Sequence, residues 1–279
     1  MAGLLPVHAL AGVRVGVSVS ESADLDRLGL REAHLRLALG ELTRSVVVAG
    51  GGLAYGGRLE PESYTAFMAA ELHRYARRDR PLLVCVAWHE HRLLSLGDLE
   101  RFRDELGLLG RLVCLDVDGR EVAADADRGA DPVSVDDPVI RRRALTGLRR
   151  YMSAQQQGRV LIGGRRTGYQ GSIPGLMEEA LFALRARQPI YLAGGFGGVT
   201  ADIARVLGAD DGDWLPRPGP PPDSPGYADG VRLLRDAARS GWDNGLTARE
   251  NGWLAVTHRP GEIAALVSLG LGRLNTGVR

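Results

Sequence analysis

Apolar and polar positions fall into alternating blocks along this chain. Short apolar runs, most of them rich in β-branched residues, recur at 13–19, 46–49, 82–88, 112–117, 160–162 and 190–193. Runs this short suit strands buried on both faces, so six buried strands are predicted. Between them, 30–43, 62–77, 98–109, 139–156, 176–187 and 200–207 carry apolar residues at helical spacing. Strand and helix alternate throughout. The predicted fold class is therefore α/β, a Rossmann-like parallel sheet with helices on both faces.

Two helix starts carry local chemistry. Pro138 follows Asp136 and Asp137, and Pro174 follows Ser172, in each case a capping residue shortly before a proline suited to a first helical turn. The stretch 215–226 holds six of the 14 prolines and reads as a loop or linker. Beyond it, 227–239 and 261–274 read as two C-terminal helices packed on the same unit. The expectation is one domain over 1–279, with its core in 11–208.

The 38 glycines are close to twice the usual share of about 7%. They concentrate in AGGGLAYGGRL (49–59), IGGRRTGYQGSIPG (162–175) and AGGFGG (193–198), each beginning where a predicted strand ends. All three clusters are thus expected on the carboxyl edge of the sheet, where ligands of open parallel sheets bind. Glycine lets backbone approach a phosphate, and helices following the second and third clusters would aim their N-termini at the same crevice. The candidate ligand-binding residues are Gly51, Gly52, Tyr55, Gly56 and Gly57; Gly163, Gly164, Arg165, Arg166, Tyr169, Gly171, Pro174 and Gly175; and Gly194, Gly195, Phe196, Gly197 and Gly198. Ser18, Ser20 and Glu21 join them from the end of the first strand, where Ser18 and Ser20 share a face. The bland alternative is that glycine simply makes tight strand-to-helix turns. No G-x-G-x-x-G with a suitable acidic residue downstream is present, which argues against a nicotinamide-dependent oxidoreductase.

Charge narrows the chemistry. All 35 basic residues are arginine, against 34 acidic ones, for a net charge of +1. Near neutrality argues against a nucleic-acid partner. Without lysine, this chain has neither Schiff-base chemistry nor a Walker A lysine, and Arg165 and Arg166 become the natural phosphate clamps. His89 and His91 have no evident third metal ligand nearby, so no metal is expected. Cys85 and Cys114 lie in apolar runs and read as buried core residues rather than nucleophiles. No segment reaches membrane-span length and no secretory leader is evident, so the expectation is a cytoplasmic protein without a membrane partner. A homo-oligomer is compatible with the sequence, and no cofactor is expected.

GGRRTGYQGSIPGLMEEAL (163–181) followed by PIYLAGGFGG (189–198) resembles the core of the SLOG superfamily, named for SMF/DprA and Lonely Guy proteins. AGGGLAYGGRLEPESYT (49–65) and VGVSVSESADL (15–25) resemble the other ligand loops of one stand-alone SLOG branch. The resemblance implies a Rossmann-like domain that binds a nucleotide-derived ligand. Some members cleave N-glycosidic bonds of nucleotides; others sense signals such as cyclic ADP-ribose-type molecules in antiphage defence. The hydrolase signature P-G-G-x-G-T-x-x-E is represented here by PGLMEE (174–179), which keeps the proline, a glycine and the carboxylates but lacks the Gly-Thr step. Two functions are therefore carried forward. One is sensing of an ADP-ribose- or NAD-related species, or a nucleoside phosphate, in a stress or antiviral response. The other is nucleotide N-glycoside hydrolysis, with Glu179, or its neighbour Glu178, as the catalytic carboxylate.

Overall fold

A computed structural model describes residues 4–74, 79–210, 219, 222–239 and 241–278 of the chain. Seven strands form one sheet: β1 (Arg14–Ser20), β2 (Gly52–Gly56), β3 (Leu82–Val86), β4 (Gly110–Leu115), β5 (Glu121–Val122), β6 (Gly158–Gly163) and β7 (Ile190–Ala193). Their order is β5-β4-β3-β2-β1-β6-β7, and every pairing is parallel except the short antiparallel β4–β5 edge. The chain builds outward from β1 to β4, then crosses back to lay β6 on the other side of β1. That reversal makes the ends of β1 and β6 the topological switch point, where crevices open in such sheets. The α/β Rossmann-like architecture is as the periodicity predicted.

Helices α1 (Glu32–Val48), α2 (Tyr64–His73), α4 (Leu96–Leu106) and α10 (Pro260–Thr276) cover one face. Helices α5 (Pro138–Ala154), α6 (Gly175–Arg185) and α7 (Gly198–Val206) cover the other, with α8 (Pro225–Ala238) laid over α6 and α7. The short α3 (Trp88–His91) follows β3, and α9 (Ala248–Val256) packs at β7. The period of two along β1 sends Val15, Val17 and Val19 into the larger core beneath α1 and α10. Gly16 and Ser18 turn toward α5 and α6, where Ser18 meets Glu179 of α6.

One strand was expected in the wrong place. Residues 46–48 form the last turn of α1, because Leu35, Leu39, Leu42 and Val46 continue one buried helical stripe. The strand that follows is Gly52–Gly56, inside the first glycine cluster. Trp88 opens α3 rather than ending β3. Besides two short 3₁₀ turns at Asp26–Leu28 and Gly194–Phe196, three elements went unpredicted: α3, β5 and α9. The last carries a capping box in which Thr247 and Glu250 satisfy each other's backbone N–H groups. Of the proline-rich stretch, 215–218, 220 and 221 lie outside the described residues, and Pro225 begins α8. The predicted helix 62–77 runs into 75–78, also outside them. No helix among the described residues is long and apolar enough to cross a membrane.

Candidate functional site

The carboxyl edge carries a cleft of about 330 Å³ across the switch point. β1 contributes Val19 and Ser20 and the turn after it Glu21, β2 contributes Tyr55, the β2–α2 loop runs along it from Gly57 to Ser63, α2 contributes Tyr64, α1 contributes Glu32, and the loop after β6 contributes Arg165. Tyr55 is nearly buried, and a Cβ on Gly57 would overlap its ring, so glycine there makes room for the aromatic side chain. Burial pushes the Tyr55 hydroxyl well above its ordinary pKa, with the Tyr64 and Glu179 charges adding to it. The Tyr64 hydroxyl is shielded from solvent without a hydrogen-bond partner. Its pKa is pushed up to about 12 by burial first, then by Glu32 and Glu21. Arg36 sits over the Tyr64 ring, 5.5 Å from its centroid, and donates to Glu32 at 2.9 Å.

A polar seam runs between α5 and α6 behind the end of β1. Arg159 is fully buried; it donates to Ser18 Oγ at 2.7 Å, Glu179 Oε2 at 2.5 Å and Gln156 Oε1 at 3.0 Å. Burial lowers its pKa while Glu179 opposes that loss. Ser18 also donates to Glu179. Glu178 accepts from Arg149, and from Thr146 at 2.7 Å. The remaining Glu179 oxygen, Oε1, meets Arg149 Nε at 3.6 Å. Both candidate carboxylates are thus partnered by buried or nearly buried arginines.

The second glycine cluster divides its two arginines. Gly163 and Gly164 both have positive φ, and a Cβ on Gly163 would overlap the Ser20 carbonyl, so β6 can turn sharply beside β1. Arg165 emerges into the cleft, its side chain 65% exposed and 3.8 Å from Glu21. Arg166 turns inward: it pairs with Asp24 at 2.6 Å and grips Asp202 through Nε at 2.6 Å and Nη2 at 2.9 Å. The guanidinium of Arg166, expected as a phosphate clamp, is engaged by these two carboxylates within the protein. Asp24 accepts from the Gly198 N–H at 2.7 Å and the Gly219 N–H at 2.7 Å. The N-terminus of α7, expected to face a ligand phosphate, already holds this carboxylate.

Other expected site residues are likewise dispersed. Gly51 and Gly52 lie at the amino edge, in a separate recess with Arg14 and Arg80, because β2 begins at Gly52. Gly56 packs beneath Met152 and Leu148. Gly194, Gly195, Phe196, Gly197 and Gly198 are buried; a Cβ on Gly194 or Gly195 would strike backbone of residues 255–257. Gly171 and Gly175 lie against Arg149, Pro174 occupies the N-cap position of α6, and the Tyr169 hydroxyl lies close to Gly226. Ser20, Glu21, Tyr55, Gly57 and Arg165 are brought together at the cleft, with Ser18 and Glu179 in the seam behind. Sequence reasoning from glycine missed Glu32, Arg58, Glu60, Glu62, Ser63 and Tyr64. For Glu60, Glu62 and Ser63 the signal was the polar LEPES segment before a Ser-capped helix, hidden by misplacing the strand ahead of it.

Cys85 and Cys114 are buried and free, their thiols pushed up to about 12 and 11 by burial, which leaves neither a usable thiolate. His89 and His91 are buried in α3. No three His, Cys, Asp or Glu side chains among the described residues are grouped to hold a metal ion.

Comparison with known proteins agrees with this architecture. No curated protein and no solved structure matches the chain. A family model described as SLOG cluster2 matches residues 9–254. With a match over most of its length, and with a parallel sheet whose glycine-rich turns flank the switch point, this chain belongs to the SLOG superfamily of nucleotide-related Rossmannoid proteins.

Proposed function

We propose that the chain binds a nucleotide-derived ligand, an ADP-ribose- or NAD-related species or a nucleoside phosphate, in the carboxyl-edge cleft. The observation that carries this reading is the cleft itself: it crosses the switch point and gathers hydroxyls, carboxylates, two tyrosines and two exposed arginines from three strand ends. Ser20, Glu21 and Glu32 suit ribose hydroxyls, the tyrosine rings suit a base, and Arg58 and Arg165 suit a phosphate. A sensing role in a stress or antiviral response rests on the resemblance to signal-recognising SLOG members. Hydrolysis has less support. Glu179 Oε2 is committed to Arg159 and Ser18, whereas a general acid or base needs a carboxylate free to exchange a proton with the substrate.

Incubation with NAD, ADP-ribose and nucleoside monophosphates separates the readings. A binder should show a raised melting temperature with at least one of them and no free base above background. Base release that falls about 10²- to 10⁴-fold in Glu179→Gln would establish the hydrolase instead. No binding to any of the panel would defeat both.

A further inference from the structure

The cleft wall carries four carboxylates, Glu21, Glu32, Glu60 and Glu62, against two arginines, Arg58 and Arg165. The next layer adds Arg36 on Glu32 and Glu90 on Arg58, one charge of each sign, so the excess of negative charge stays. Among the lining residues, Tyr64 has a hydroxyl shielded from solvent without a hydrogen-bond partner, and Tyr55 supplies a second aromatic side chain. A negative field and the Tyr55 ring favour a flat cation, while the Tyr64 ring already has the Arg36 guanidinium over it. Arg165 is loosely paired with Glu21 at 3.8 Å, and Arg58 with Glu90 at 3.5 Å and Glu60 at 3.8 Å, so the two can serve one phosphate. A second phosphate gains no seat at α7, because Asp24 fills that N-terminus and Arg166 is held by Asp24 and Asp202.

We propose that the cleft selects a cationic N-ribosylated ring, of the N-ribosylpyridinium class, carrying a single phosphate, over neutral nucleobases and polyphosphates. This rests on the cleft being the nucleotide site, and it names the half of an NAD-type molecule that the site reads. Glu21 and Glu32 supply the charge that discriminates, and Arg165 anchors the phosphate.

Nicotinamide mononucleotide tests it in its oxidised and reduced forms, which share ribose and phosphate and differ in a cationic versus a neutral ring. In calorimetry the oxidised form should bind at least about tenfold tighter, the scale of a partly desolvated cation–π contact with nearby carboxylates. In Glu21→Gln that ratio should shrink while the protein melts as wild type. Equal or tighter binding of the reduced form overturns the inference. So does a tenfold ratio that persists in Glu21→Gln, since the charge would then be read elsewhere. If neither form binds but AMP or ADP-ribose does, the inference fails and the nucleotide reading stands. If no nucleotide binds, both fail.

Discussion

Arg165 and Arg166 leave β6 side by side, and the turn at Gly163 and Gly164 sends one into the cleft and the other into the protein. Their substitutions should therefore part company. Arg166→Ala leaves Asp24 buried without its counter-charge and Asp202 with only the Arg205 contact at 3.3 Å, and urea unfolding should show a loss of about 3–5 kcal/mol. Arg165→Ala should leave stability within about 0.5 kcal/mol and weaken binding of the recognised nucleotide by about 1.5–3 kcal/mol, measured by calorimetry. The sequence showed two arginines in a glycine-rich turn and nothing to distinguish them. What distinguishes them is Asp24, 142 residues away, and no local pattern reports such a partner. His91 gives a pH signature at the same scale. Its imidazole is buried, hydrogen-bonds the Leu115 carbonyl at 3.1 Å, and has its pKa pushed down to about 4 by that burial. The unfolded chain takes up the proton near pH 6.5 and the folded one only near 4, so stability falls on acidification between those values. From pH 7 to pH 5 the wild type should lose about 2 kcal/mol more than His91→Gln in urea titrations.

At the scale of elements, the sequence was legible wherever one period ran unbroken and misleading where two met. Ile190–Ala193 fell where expected, as did the start of α5 at Pro138 beneath its Asp137 cap. Val46–Val48 looked like a strand because β-branching is a strand signal, yet the tertiary stripe on α1 overrides it. The true strand, GLAYG, has glycine at both ends and little propensity of its own; pairing with β1 and β3 on both sides holds it. That slip put Gly51 and Gly52 on the wrong edge and concealed half of the cleft. The Arg159 seam lay equally out of sight, since an arginine inside a strand run signals neither burial nor a partner on α6. Gly16 is what makes room for it. A Cβ there would overlap Gln156, whose carbonyl oxygen holds Arg159. Gly16→Ala should cost about 1–3 kcal/mol by overpacking, read as a lowered urea midpoint with an unchanged slope.

Across the whole molecule, the two sheet faces do different work. The face under α1 and α10 is apolar and fixes β1, with α10 tied to α1 by Ser45 and Ser268 hydroxyls 2.9 Å apart. The face under α5 and α6 carries the charged seam that ends at Ser18, so the crevice at the switch point rests on a rigid polar support. Of the three glycine clusters, the first reaches the cleft through Tyr55, Gly57 and Arg58 and the second through Arg165, whereas Gly194, Gly195 and Gly198 of the third lie against backbone elsewhere. The central claim is that nucleotide-type ligands bind at this edge. Backbone hydrogen exchange with and without saturating nicotinamide mononucleotide, or whichever nucleotide of the panel raises the melting temperature most, tests it directly. The expected result is added protection in 19–21, 55–64 and 163–165, with 50–52 at the opposite edge unchanged. Protection confined to 50–52 and 80–81, or none in the cleft loops while the nucleotide is bound, would contradict it.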